Sequence, residues 1–247
     1  MTPFLDWKGV FAAGETRLAV RTKGGIFMEW FVNGEGGLTT AGYAVSIGLL
    51  AAFLLVGLAL SGGGARKGMS ARHLAFCAMA LALAFVTSYI KPIPQMPYGG
   101  SVTLLSMLFI VLVGNWYGIK TGVLVGLAFG ILQFLQEPYF LTLFQVCCDY
   151  VFAFGALGIS GLFRNRKNGL LWGYIAAVFA RGFFHSLGGY LYWMDYMPEN
   201  FPQSLKAVYP IVYNYSYLLV EGILTVIVIR VPAVASALER VKKQAAQ

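Results

Sequence analysis

From Ala41 onward the chain is a succession of apolar runs separated by short polar breaks, at approximately 41–60, 72–90, 102–115, 119–136, 139–163, 169–193 and 211–232. A helix needs roughly 20 apolar residues to cross a bilayer. The run 102–115 falls short of that and predicts a tilted or partial helix. The pattern as a whole predicts an all-α polytopic membrane protein. A six-helix domain occupies 69–235, and one extra N-terminal transmembrane helix with its linker occupies 39–68. Within 119–136, Gly122, Gly126 and Gly130 recur every fourth residue and predict a ridge that lets another helix come close. Gly155, Gly158 and Gly161 do similar work one helix later.

The ends differ from the middle. Residues 1–38 are mixed in character, with Lys8, Arg17, Arg21 and Lys23 offset by Asp6, Glu15, Glu29 and Glu35. There is no early basic start followed by a compact apolar core, so this segment does not read as a secretory signal. It is expected to be an extracellular extension. Residues 236–247 are expected to form a basic cytoplasmic tail. The text GGGARKG at 62–68 has its lysine before the last glycine and lacks the Gly-Lys-Ser/Thr order of a phosphate-binding loop, so it is not a nucleotide site.

Composition agrees with the pattern: 58% of the 247 residues are hydrophobic and only 11% charged, against about a quarter charged in ordinary globular proteins. The net charge of +8 does not point to nucleic acid, because the basic residues sit between apolar runs, where they orient spans. Arg66, Lys67 and Arg72 fall on one side, as do Lys120, the group Arg164, Arg166 and Lys167, and finally Arg230, Arg240, Lys242 and Lys243. The alternate loops hold only Lys91 and Lys206, with Glu137, Asp195 and Glu199. Both ends of the six-helix part are therefore expected in the cytoplasm of a plasma-membrane protein. Cys77, Cys147 and Cys148 all lie inside apolar runs without metal-ligand spacing, and adjacent cysteines rarely bridge each other. No metal or cofactor is expected.

Polar residues inside the membrane are costly and mark function or pairing. Arg181, His185, Gly189 and Trp193 lie four apart and predict one stripe down a helix face. Asp149 lies about ten residues into its run, roughly 15 Å deep at the α-helical rise, with Gln145 four residues before it and Tyr150 beside it. Buried charges usually pair, so Arg181 and Glu221 are expected to form a structural ion pair. Each remaining residue has an ordinary reading: His185 as hydrogen-bonded core, Trp193 as an interfacial belt residue, Tyr209 and Asn214 as loop and cap. Their convergence on two helices and the joining loop favours a small-molecule site instead. Carboxylate, amide and imidazole suit a heteroaromatic edge, and aromatic faces suit a flat or cationic ring.

The pattern QxxxDY (Gln145 to Tyr150), the run GALGISGLFR (Gly155 to Arg164), then FFHSLGGYLYW (Phe183 to Trp193) and VYPIVYN (Val208 to Asn214) resemble the thiamine-specific substrate-binding subunits, or S components, of energy-coupling-factor transporters. The resemblance covers roughly residues 70–232. It implies a six-helix bundle with a vitamin site near the outer face. It also implies docking on a transmembrane coupling subunit that carries two ATPase subunits. By the same resemblance Asp149 stands where an acidic residue, often glutamate, touches the aminopyrimidine. Tyr150 and His185 fall on matching positions, Gly189 on the glycine that lets the ligand approach, and Trp193 on the aromatic near the thiazolium. Tyr209 and Asn214 match polar contacts from the loop and last helix, and Gln145 joins the substrate-binding set. Gly99–Gly100 occupy a loop position where some members carry a tryptophan lid. The span at 41–60 has no counterpart in the family core, and Met69 would make a natural start for a core-length protein. The alanines of AFCAMALALA, Ala78 with Ala82 and Ala80 with Ala84, imply a smooth docking face for the coupling subunit.

No paired nucleophile and base and no HExxH-type cluster is present in the sequence, so catalysis is not expected. Two other classes stay open at this stage. A stand-alone proton-coupled carrier would use Asp149 and Glu221 as proton sites, and a distant possibility is an intramembrane enzyme built on the Asp–His combination. The chief expectation is thiamine capture and uptake across the plasma membrane.

Overall fold

The computed structural model describes residues 30–31, 38–45, 47–48 and 70–245. Residues 40–45 and 47–48 are helical; the rest of the expected 41–60 span and nearly all of 1–38 lie outside the described residues. The regular elements of the described part are helices, and Ile93 and Val102 form an isolated antiparallel bridge. In chain order the elements are α1 (Ala71–Ser88), α2 (Ser106–Tyr117), α3 (Ile119–Gln136), α4 (Leu143–Phe163), α5 (Gly169–Trp193), α6 (Tyr209–Arg230) and α7 (Pro232–Ala245). A 3₁₀ turn, Gln203–Val208, leads into α6. Among the described residues five helices are long and apolar enough to cross a membrane, and α2 is apolar but shorter, as its run in the sequence predicts. Residues 236–245 of the expected tail are helical and belong to α7.

The shortest helix is the most buried. Met107, Ile110, Val111 and Val113 of α2 are fully enclosed, and Phe129, Leu157, Tyr174, Ala177 and Leu218 close around them from α3, α4, α5 and α6. Apolar residues elsewhere face outward, among them Leu83, Val86, Phe179, Phe183, Ile223 and Ile227, as a lipid-facing surface requires. On α1 the structure separates the two alanine pairs. Ala80 and Ala84 are buried in the bundle, whereas Ala78 and Ala82 are exposed. The expected docking face is thereby corrected: Ala80 and Ala84 pack inward and cannot line it.

The glycine ridges meet each other. In a 3₁₀ helix, residues three apart eclipse, and α4 ends in a 3₁₀ segment, Ala156–Phe163. Gly155, Gly158 and Gly161 thus align into one smooth edge against α3, whose own glycines repeat every fourth residue on one α-helical face. A Cβ on Gly122 would stand 2.7 Å from Gly114 Cα and 2.9 Å from Gly158 Cα. Two interhelical hydrogen bonds lock the same core: Ser160 Oγ donates to the Val111 carbonyl at 3.0 Å, and Tyr174 Oη to Thr225 Oγ1 at 2.9 Å.

Helix α2 carries its own constraint. The residue before it, Leu105, has φ +61°, a left-handed conformation that is costly for a branched side chain. No side chain of its own caps the helix. Glu221 of α6 takes that place: Oε1 accepts the Met107 N–H at 3.3 Å and the Ser106 hydroxyl at 3.3 Å, and Oε2 accepts the Thr103 hydroxyl at 2.6 Å. A carboxylate at a helix N-terminus meets both unsatisfied N–H groups and the positive end of the helix dipole.

Contacts bring the start of α1, next to Arg72, together with the end of α2 and the end of α7, which carries Arg240, Lys242 and Lys243, at one end of the bundle. His73 of α1 stacks on Tyr117 of α2, with ring centroids 3.7 Å apart, and Tyr117 Oη donates to the Ala245 carbonyl of α7 at 3.2 Å. At the opposite end, Lys91 pairs with Glu137.

Four substitutions test this packing. Gly122→Ala forces backbone against backbone and should cost about 1–3 kcal/mol, read as a lower Tm in detergent. Gly222→Ala meets only side-chain tips at 3.9–4.0 Å and should leave Tm unchanged or slightly raised, because alanine favours the helix. Glu221→Ala strands the α2 cap and should cost about 1–3 kcal/mol, the desolvation cost of unpaired buried donors; Glu221→Gln, which keeps an acceptor, should cost less in the same melts.

Candidate substrate site

Asp149 sits at the point where two irregular helices face each other. Helix α4 starts with Thr142 as its N-cap, accepting the Gln145 N–H at 3.1 Å. It then opens into a π-helical turn, Cys147–Phe152. Opposite, α5 runs regularly to Gly188 and finishes in a second π turn, Gly189–Trp193. Such π turns are rare and concentrate at functional sites. The glycine pair in α5 has a packing cause. A Cβ on Gly188 would stand 2.9 Å from Asp149 Oδ1, and one on Gly189 would stand 2.7 Å from Pro210 Cβ of α6. Bare backbone at both positions lets α4 and α6 close on α5.

Three side chains meet the Asp149 carboxylate. Gln145 Nε2 donates to Oδ2 at 2.8 Å, Trp193 Nε1 donates to Oδ2 at 3.3 Å, and His185 Nδ1 lies 3.4 Å from Oδ1. The Gln145 amide is itself fixed: it is buried, and its Oε1 accepts the Leu141 N–H at 3.0 Å, so the NH₂ must face Asp149. Behind His185, Arg181 Nε donates to His185 Nε2 at 3.2 Å, while its guanidinium carbon lies 4.3 Å from the Phe154 ring centroid. Among the described residues no lysine or arginine contacts Asp149 itself. Its side chain is 14% exposed and that of His185 12%, so the carboxylate is held nearly dry yet reachable.

Aromatic faces stand beside it. The Trp193 ring lies 4.8 Å from Tyr139, tilted by 45°. On the α6 side Tyr209 packs on Phe201 and Tyr213, and Tyr213 on Tyr217. Asn214, buried beside Gly189, donates to the Pro210 carbonyl at 2.8 Å and accepts the Tyr217 hydroxyl at 2.9 Å. The loop before α2 rests on the same helix. Gly99 and Gly100 both have positive φ, and a Cβ on either would strike the ring of Tyr213 or Tyr217 respectively.

The structure thus brings Asp149, Gln145, His185 and Trp193 together, with Asn214 and Tyr209 on the adjoining wall. It alters two expectations. Arg181 and Glu221 form no ion pair: Arg181 turns to His185 and Phe154, and Glu221 is taken up by the α2 N-terminus. Tyr150 turns away from Asp149, its ring against Phe134 and its hydroxyl donating to the Glu137 carbonyl at 2.8 Å, because adjacent helical residues point in different directions. Gly189 packs against Pro210, and Gly188 beside it packs against Asp149. Tyr139, Tyr213, Tyr217 and Gly188 were missed by the sequence reading. Tyr213 and Tyr217 could have been found from their spacing, since with Tyr209 they form an i, i+4, i+8 stripe. No local signal marks Tyr139. Among the described residues, no group of three or more His, Cys, Asp or Glu could hold a metal ion.

An apolar helical bundle with five helices among the described residues able to cross a membrane describes a multi-pass membrane protein. Residues 74–240 match the thiamine transporter protein family, and the chain belongs to that family. It is 31% identical over 154 residues to the thiamine transporter ThiT of Bacillus subtilis (strain 168), covering 55% of this chain and 76% of that protein. The fold is similar to a solved structure of ThiT from Listeria monocytogenes, with a TM-score of 0.53 at 24% identity over 65% of this chain and 94% of that one. The family and the relative are transporters rather than enzymes, which sets aside the intramembrane hydrolase.

Proposed function

We propose that this protein captures thiamine at the Asp149 site as the substrate-binding subunit of an ATP-driven energy-coupling-factor transporter. One observation carries the reading: a nearly dry carboxylate held by neutral donors, with aromatic faces beside it. A carboxylate has about four lone-pair positions, and three are taken, two on Oδ2 and one on Oδ1. The remaining position on Oδ1 suits the amine of an aminopyrimidine. The fixed positive charge of the thiazolium offsets the carboxylate and suits the Trp193 and Tyr139 faces. Asn214, Tyr209 and Tyr213 supply the opposite wall, and the Gly99–Gly100 loop covers that side.

The basic end of the bundle is cytoplasmic in this reading, so the C-terminus is inside and the Asp149 end opens outward. Transport in this reading needs a coupling subunit and two ATPase subunits, as the family resemblance implies. The exposed Ala78 and Ala82 face of α1 is the docking surface. Small residues there allow close helix contact.

Calorimetric titration with thiamine tests the site. Removing one member of a desolvated charge contact costs on the order of 2–5 kcal/mol. Asp149→Asn should lose affinity on that scale, because an amide NH₂ would also confront the three donors. Trp193→Phe keeps a ring and should lose about 0.5–2 kcal/mol, with His185→Ala between the two. Wild-type affinity in Asp149→Asn would place the ligand elsewhere. For docking, Ala78→Trp should abolish thiamine uptake in cells carrying the ATPase module while purified protein still binds thiamine. Loss of both would mean that this face is needed inside the bundle.

A further inference from the structure

Arg181 does not contact Asp149, yet it is linked to it through one imidazole. Its Nε lies 3.2 Å from His185 Nε2, and the other ring nitrogen lies 3.4 Å from Asp149 Oδ1. A guanidinium only donates. If His185 carried its proton on Nε2, two N–H groups would face each other at that distance. An imidazolium would repeat the conflict and add like charge. Only the neutral ring protonated on Nδ1 satisfies both contacts: Nε2 accepts from Arg181, and Nδ1–H donates to Asp149.

The guanidinium is held where this requires it. It lies on the face of Phe154, with its carbon 4.3 Å from the ring centroid, and Phe154 also meets the His185 ring edge-on at 6.2 Å. One buried aromatic side chain thus orients both partners. The His185 backbone position, four residues after Arg181 on a regular part of α5, sets their spacing before any ligand arrives.

We infer that Arg181 is a positioning residue for thiamine recognition: it fixes His185 in the Nδ1–H tautomer, which keeps Asp149 oriented as an acceptor with one free lone pair for the ligand's amine. The inference rests on the reading of Asp149 as the ligand carboxylate. It is distinct from a structural ion pair, which would leave the tautomer of His185 indifferent to Arg181. A lysine at this position, also a pure donor, satisfies the same requirement. A methionine of similar length does not.

The chain contains only two histidines, so ¹⁵N-histidine labelling and solid-state NMR in liposomes give two imidazole signals, with His185 assigned by loss of the other signal in His73→Gln. The wild type should show His185 protonated on Nδ1 without any ligand. In Arg181→Met the Nε2–H form should appear and thiamine affinity should fall roughly tenfold, the scale of one lost hydrogen bond. Arg181→Lys should keep the Nδ1–H form and most of the affinity. An Nε2–H or doubly protonated His185 in the wild type overturns the inference, even if Arg181→Met fails to fold. A folded Arg181→Met with unchanged tautomer or unchanged affinity overturns it as well. Wild-type protein that binds no thiamine would defeat the proposed function, while the ligand-free spectrum still judges the tautomer.

Discussion

The constraint behind this structure is the cost of keeping the Asp149 carboxylate out of water. An ionised group in a low-dielectric interior is tolerated only when hydrogen bonds and nearby charge compensate for lost hydration. Here the compensation comes from an amide, an indole and an imidazole rather than from a directly contacting cation. Each donor must then be held by something else. Gln145 is fixed by the Leu141 N–H, His185 by Arg181, and Trp193 by the π turn that ends α5. The site's precision is distributed over the supports of these donors.

Those supports depend on how closely the helices approach. The α3–α4 contact is set by glycines on both sides, and α4 becomes 3₁₀ where its glycines recur every third residue. Widening that contact would move α4 and carry Asp149 with it, because the π turn bearing the carboxylate lies directly ahead of the glycine edge. On the other side, Gly188 and Gly189 bring Asp149 and Pro210 against α5. The loop before α2 is tied in by Glu221 through Thr103, Ser106 and Met107, and the same helix α6 presents Asn214 and Tyr217. One helix therefore contributes to the ligand wall and anchors the loop beside it.

The spans, the short second helix of the core and the glycine ridges were legible because hydropathy and small-residue spacing are properties of the chain itself. Asp149, Gln145, His185 and Trp193 were legible because polar residues stand out against an apolar background. What could not be read was direction. Residues 149 and 150 are neighbours in sequence, yet one faces the site and the other faces Phe134, and a π turn shifts every later side chain relative to ideal spacing. The pairing of Arg181 with Glu221 failed for a similar reason. Both are buried and opposite in charge, but the sequence does not reveal that the N-terminus of α2 competes for the glutamate or that an imidazole and a phenyl face compete for the arginine.

That competition explains how the interior charges combine. The Glu221 carboxylate is surrounded by donors at a helix N-terminus. Arg181 supplies one buried positive charge, and Asp149 a second negative one. Had Arg181 paired with Glu221, the two would have cancelled locally and Asp149 would have stood with no cation in reach through His185. In the arrangement observed, Arg181 acts on Asp149 through a neutral ring, which orients the carboxylate without occupying it.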